Sequence, residues 1–461
     1  MPYQISLHRA VTLLLLATPF LVLAACGGGG ATAPSTPGGT APTYSIGGTA
    51  TGLTGSVVLR DNNADNLTVT ANGAFTFATH IAGGGAYSVS VFTRPAGQTC
   101  TVTRGSGAAS SDVANIALYC ATKVAVTTSG NHLLKDGAVW TPHGVILMAF
   151  NAPPSALNDP SVIASNAFYR TELLPAYQHY SVADFPAIKA WGADLVRFNV
   201  SQAGLDPSNA LYSKDYVSSV SDAVLAARAT GLEVIVCVFG KEEAAPVPLP
   251  SDATVRAWNV LAPLFNGDQG ILYEMFNEPP ALPTSDDWAA WAAATNPVIA
   301  AIRATGSTNV VIADGLTYGI FLDGAPSLAD PLNQVAYATH PWFKSSASSQ
   351  VRATWDAHFG NFAATAPVIA TAWAVGNNNY CDANTPAAAL GLLQYLQSKQ
   401  IGLVGYAYDS VPTMQNNSIV TDYNGTPTTF ANGAQCGQPN FGAGAIIQDW
   451  FRTGVPPSQP E

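Results

Sequence analysis

The chain has 461 residues, with 18 Lys+Arg against 29 Asp+Glu and a formal charge of −11. Charged residues make up 10% of it, against about 25% in a typical globular chain, so its surface must be built from small neutral side chains, as in secreted proteins. An acid excess without any basic run excludes a phosphate-backbone partner, which needs clustered Lys and Arg, and no nucleic acid is expected.

At the amino terminus His8 and Arg9 precede the apolar run 11–23. That run is too short to span a membrane and suits a signal-peptide core. The sequence Leu23-Ala24-Ala25-Cys26 and the glycines that follow resemble a bacterial lipoprotein signal. The resemblance implies a leader over 1–25, acylation of Cys26, a flexible tether over 26–43 and attachment to the outer membrane through that lipid alone. Five cysteines remain. None has CxxC or Cys/His spacing for a metal. Cys100 with Cys120 and Cys381 with Cys436 are candidate disulfides for an oxidising compartment, and Cys237, within an apolar run, is expected to be a buried thiol.

Over 44–121, short runs of alternating polarity (66–70, 74–77, 87–92, 116–119) are separated by Gly and Asn turns. Such spacing predicts a small antiparallel β-sandwich, read here as a spacer rather than a sugar-binding or cell-surface module. Asp61, Asn63 and Asp65 open like a calcium loop, but the Gly and closing Glu are missing, so a plain turn is expected. From 122 to 457 apolar strands alternate with amphipathic helices. Strands are predicted at 145–150, 193–198, 234–239, 271–276, 310–313, 335–338, 368–370 and 403–406, with helices around 288–303 and 387–396. Eight βα units predict an α/β fold, a closed (β/α)8 TIM barrel behind the all-β region; no phosphate-cradling glycine loop follows the first strand.

In such a barrel the chemistry sits at the C-terminal ends of the strands. The fourth strand ends Tyr273-Glu274-Met275-Phe276-Asn277-Glu278-Pro279, bringing an adjacent amide and carboxylate out of an apolar run, while Arg197 closes the second strand and His340 the sixth. With these placements the sequence resembles glycoside hydrolase family 5 of clan A over about 122–451. The resemblance implies a retaining glycosidase acting on β-linked polysaccharide, with no cofactor and no metal. It assigns Glu278 as acid/base and Asn277 to the sugar 2-hydroxyl, with Arg197 and His340 serving the nucleophile and the adjoining subsite.

Four positions depart from the family pattern. The seventh strand reads Pro367-Val368-Ile369-Ala370-Thr371-Ala372-Trp373, so Ala372 stands where the nucleophilic Glu belongs, and after Glu278 no glutamate occurs until Glu461. The third strand lacks its histidine, Trp342 replaces a tyrosine, and Tyr406 replaces a tryptophan. Retention needs two carboxyls ~5 Å apart, so ordinary retaining turnover is expected to be weak or lost. Asp409 and Asp314, at the ends of strands eight and five, are the candidate substitute carboxylates; Glu242 and Glu243 read as a solvated loop pair. Trp342, Trp373, Tyr406 and Tyr408 are candidate sugar-stacking rings, and Phe168-Tyr169-Arg170 with Tyr177 a candidate rim. Three readings stay open at this point. They are a β-glycan-binding barrel without normal turnover, an active hydrolase using a substitute carboxylate such as Asp409, and a structural surface lipoprotein. A monomer is expected.

Overall fold

The computed structural model describes residues 42–157, 161, 179–240, 248–343, 345–375, 381–409, 418–430, 436 and 440–458. Residues 1–25, Cys26, Phe168, Tyr169, Arg170, Tyr177, Glu242 and Glu243 lie outside the described residues. Residues 43–461 group as one compact unit.

Ten strands make the leading region: β1 (Thr43–Tyr44), β2 (Ile46–Thr51), β3 (Val57–Asp61), β4 (Asp65–Val69), β5 (Gly73–Thr76), β6 (Ile81–Ala82), β7 (Ala86–Thr93), β8 (Gln98–Thr103), β9 (Ser106–Ala108) and β10 (Val113–Thr122). Two four-stranded sheets, ordered β5-β2-β10-β8 and β4-β3-β7-β9, enclose a core that includes Ile46, Val57, Leu59, Phe77 and Leu118. This is the sandwich that the period-two runs predict. Cys100 and Cys120 sit directly opposite each other on antiparallel β8 and β10 and are disulfide-bonded. The 61–65 stretch is a hairpin turn in which Asn62 and Asn63 take left-handed φ, as short amides tolerate, and Asp61 accepts a hydrogen bond from the Ser88 N–H.

Next come β11 (Val126–Ser129), β12 (His132–Lys135) and β13 (Ala138–Val139), an antiparallel sheet where the sequence reading places the start of the βα pattern. Val126, Leu133 and Trp140 pack against the inward residues Ile146 and Leu195 of the barrel. Thr128 N–H donates to Gln334 and the Trp140 indole to Asp194, residues that precede barrel strands, so this sheet closes the N-terminal end of the barrel.

The barrel is closed and parallel, running through β14 (His143–Leu147), β15 (Leu195–Ser201), β16 (Glu233–Phe239), β17 (Ile271–Glu274), β18 (Val311–Asp314), β19 (Val335–Thr339), β20 (Val368–Trp373) and β21 (Gly402–Gly405). Each of the eight predicted strands overlaps its observed counterpart. The longer helices among the described residues are α1 (Asp184–Trp191), α2 (Lys214–Ala229), α3 (Asp252–Phe265), α4 (Ser285–Ala304), α5 (Thr385–Ser398) and α6 (Gly444–Thr453). Along β15 the side chains alternate: Leu195 packs inside the barrel, while Val196 and Phe198 join the core under the helices. Buried on both sides, such strands read as continuous apolar runs.

The sandwich is fused to the barrel wall. Ile116, Leu118 and Cys120 of β10 fill the sandwich core, and Tyr119 on the opposite face packs against the barrel's helix-layer core. Thr103 Oγ1 donates to Asp222 of α2 at 2.7 Å, Arg104 pairs with the same carboxylate, and Arg228 of α2 donates to the Thr122 carbonyl.

Candidate active site

Period-two alternation in the barrel strands brings a polar layer to the interior near their C-terminal ends: Arg197 from β15, Cys237 from β16, Glu274 from β17, Asp314 from β18 and Thr371 from β20. All are buried. Arg197 is the hub. Its Nε donates to Glu274 Oε2 at 2.6 Å, and Nη2 donates to Glu274 Oε1 and to Asn277 Oδ1, each at 2.8 Å. Nη1 donates to Asn199 Oδ1 at 2.7 Å, and Nη2 also lies 3.1 Å from Cys237 Sγ. With Asn277 Oδ1 taken by the guanidinium, its NH2 group is the part left to donate to a ligand. Burial would raise the Glu274 pKa, but the Arg197 charge prevails and holds it well below the carboxylate range. Burial pushes the Cys237 thiol up, keeping it inert.

His340 completes the ring from the other side. Its Nδ1 lies 3.0 Å from Glu278 Oε1 and its Nε2 lies 2.9 Å from Thr371 Oγ1, whose hydroxyl donates to Glu274 Oε1 at 2.9 Å. Burial alone would lower the imidazole pKa, yet the surrounding carboxylates Glu274, Glu278 and Asp314 raise it to about 9. At neutral pH His340 is therefore a cation with both nitrogens donating. Gly319, at φ 80°, backs onto this ring so closely that a Cβ there would sit 2.8 Å from the imidazole, which only glycine permits. Hydrogen bonds thus connect Glu278, His340, Thr371, Glu274, Arg197 and Asn277.

Glu278 keeps a partly exposed side chain and takes a left-handed φ of 55°. A non-glycine residue held there stores strain on the order of 1–3 kcal/mol. Asp314 maintains it, with Oδ2 accepting the Glu278 N–H at 2.8 Å. Burial, then the neighbouring Glu274 charge, push the Asp314 carboxyl well above its ordinary pKa. Asp314 is thus a buried carboxyl that holds the Glu278 backbone from below. Asp409 is held through one oxygen: its Oδ2 accepts from the Met148 and Ala149 N–H groups at 2.7 and 2.9 Å while Oδ1 has no partner among the described residues, and burial lifts its pKa to about 7. The charge acting most strongly on it is Asp184, outside the Glu278 ring.

On β20 the alternation breaks. Its register with β21 shifts between Ala370 and Trp373, so Thr371 and Ala372 both turn inward and Trp373 turns out. A bulge of this kind re-aims a side chain next to an active site, and here it presents a methyl group. The same bulge corrects one sequence expectation: Trp373 is fully buried under the helices against Phe343 and is not a sugar platform. Tyr408 is corrected likewise, lying 3% exposed in the helix layer with its ring edge-on to Trp191. Trp342 and Tyr406 stay half-buried as an edge-to-face pair with ring centroids 5.7 Å apart.

Glu274 and Thr371 carry no role in the sequence reading, yet they bridge the two halves of the ring. A signal for Glu274 was available: a lone carboxylate in an apolar strand requires a buried cation, and Arg197 stands alone in another. Among the described residues Glu274, Asp314 and His340 also have metal-like spacing, but Arg197 and protonated His340 already balance their charge. Cys381 and Cys436 are disulfide-bonded, joining the segment after β20 to the segment after β21.

The chain matches the family described as Cellulase (glycosyl hydrolase family 5) over residues 166–411. Among solved structures it is similar to a β-glucanase from Saccharophagus degradans, at 18% identity, covering 72% of this chain and 93% of that one with a TM-score of 0.51. The same enzyme in complex with cellotetraose matches at 19% identity, again with a TM-score of 0.51. The catalytic domain of the major endoglucanase from Xanthomonas campestris pv. campestris matches at 18% identity, covering 66% of this chain and 96% of that one, TM-score 0.51. At these identities the likeness is one of fold. No curated protein matches the chain.

Proposed function

The chain belongs to glycosyl hydrolase family 5, and on that premise we propose that it engages β-linked polysaccharide at a barrel mouth that keeps the acid/base Glu278 but has lost covalent retention. The observation that carries this reading is Ala372, aimed inward by the β20 bulge. A retaining reaction needs a carboxylate ~5 Å across from the acid, and a methyl group neither attacks an anomeric carbon nor steadies its positive charge. Sugar binding does not depend on that carboxylate. Asn277, oriented by Arg197, offers donors to a hydroxyl, and the Trp342–Tyr406 pair offers apolar ring surface to a pyranose. The Leu23–Cys26 signal supports lipid attachment at the outer membrane as the place of action.

The test is Ala372→Glu in the full chain, assayed on soluble β-glucan and β-mannan, with azide or formate added to the parent in parallel. Restoring the carboxylate is expected to raise kcat/KM by about 10³-fold or more, ~4 kcal/mol of barrier. Azide is expected to rescue the parent in part, and Glu278→Gln to abolish both gains. A parent that already turns over at ordinary glycosidase rates, with nothing gained in Ala372→Glu, overturns the reading.

A further inference from the structure

The face of β10 turned away from the sandwich core is only partly covered by the barrel. Beside α2 the sheet and the barrel wall diverge and leave a cleft of about 510 Å³ between β2 and β10 on one side and α1 and α2 on the other. That volume lies within the range of small-molecule sites, which favour the seams between structural units. Parallel pairing sets Thr49 beside Ala117 and Thr51 beside Tyr119, so period two puts all four on the face lining this cleft. Val182 and Pro186, at the start of α1, form an apolar opposite wall, and Thr230, its hydroxyl donating to the Ala226 carbonyl, lies at the end of α2.

Charge narrows what could bind. Arg104 is the one charged residue in the lining, and it is already paired with Asp222 of α2. An anion would find no surplus cation there. A purely apolar ligand would strip water from the Thr49 and Thr51 hydroxyls without replacing those hydrogen bonds. Burial and the Asp222 charge raise the Tyr119 pKa, so its hydroxyl stays a neutral donor. Apolar walls with hydroxyl, amide and paired-charge groups at one edge suit a ligand that has C–H faces and ring hydroxyls.

We propose that this cleft is a binding site for a neutral carbohydrate chain, built jointly by the sandwich and the barrel wall and separate from the barrel mouth. It makes the sandwich half of a receptor. The test is affinity electrophoresis of the full chain in gels containing soluble β-glucan or β-mannan. Thr51→Trp and Ala114→Arg each place bulk in the cleft from an exposed position, and Trp342→Ala serves as the barrel-mouth control. Each cleft variant is expected to weaken retardation by about tenfold in affinity, and Trp342→Ala to leave a residual binding that Thr51→Trp then removes. The proposal is overturned if both cleft variants bind as the parent does, if Trp342→Ala alone abolishes binding, or if the parent binds neither glycan. Thermal unfolding of each variant reports folding. Should either be misfolded, hydrogen exchange in the parent decides, with glycan expected to protect amides 49–51 and 115–119 and their lack of protection overturning the proposal. If Trp342→Ala changes nothing while the cleft variants do, the barrel mouth fails as the glycan site and the cleft stands.

Discussion

Strands β17 and β20 meet inside the barrel through the Thr371–Glu274 hydrogen bond, and they have fared differently. β17 and its extension keep Glu274, Asn277 and Glu278, each tied to Arg197, Asp314 or His340. β20 keeps its inward bulge but carries a methyl group at its tip. The difference teaches that the ring of charges has a structural value of its own. Burying Arg197 and Glu274 is tolerable only while each satisfies the other, so this network holds together whatever side chain stands at position 372.

The largest effect expected on that comparison comes from Arg197→Ala. It leaves Glu274 charged, buried and unpaired, and should cost about 3–5 kcal/mol in urea unfolding; a loss near zero would show that the β17 side is no more structural than the β20 side. Thr371→Val keeps the shape but removes the hydroxyl between His340 and Glu274. A cost of about 1–3 kcal/mol is expected from the unsatisfied groups, and a neutral result would separate the two strands entirely.

The remaining effects are in pH. His340 rises from 6.5 to about 9 on folding, so its contribution is full below pH 6.5 and is lost as pH climbs through about 9. Asp409 rises from 3.8 to about 7. The native state then holds a proton that the unfolded chain has released, and stability falls as pH rises across that window. Urea midpoints measured against pH should decline in both windows. His340→Gln should reduce only the upper decline and Asp409→Asn only the lower, to which Asp194, lifted by burial to about 6, also contributes; coincident curves for parent and variants would refute both assignments.

Much of the barrel was legible because strands buried on both faces must be largely apolar, as 234–239 and 271–273 are. The sheet β11–β13 was not, since its residues resemble turns until the barrel opening supplies something for Val126, Leu133 and Trp140 to cover. Trp373 was misplaced because the strand was read as ending at 370, whereas β20 runs to 373 and its bulge turns that ring into the helix layer. Arg197 and Glu278 were visible as isolated polar groups at strand ends. Their connection through Glu274 and Thr371 was not, because those contacts join residues 77 and 97 positions apart and only closure of the barrel brings them together.

The two-sided burial of β10 limits how this polypeptide can be cut or recombined. A truncation that began after Thr122 would strip a neighbour from α2, orphan Asp222 from Thr103 and Arg104, and leave Arg228 without the Thr122 carbonyl. The leading segment is therefore not a bead on a string that recombination could exchange while sparing its neighbour. Anyone grafting this barrel elsewhere would have to carry the preceding eighty or so residues with it.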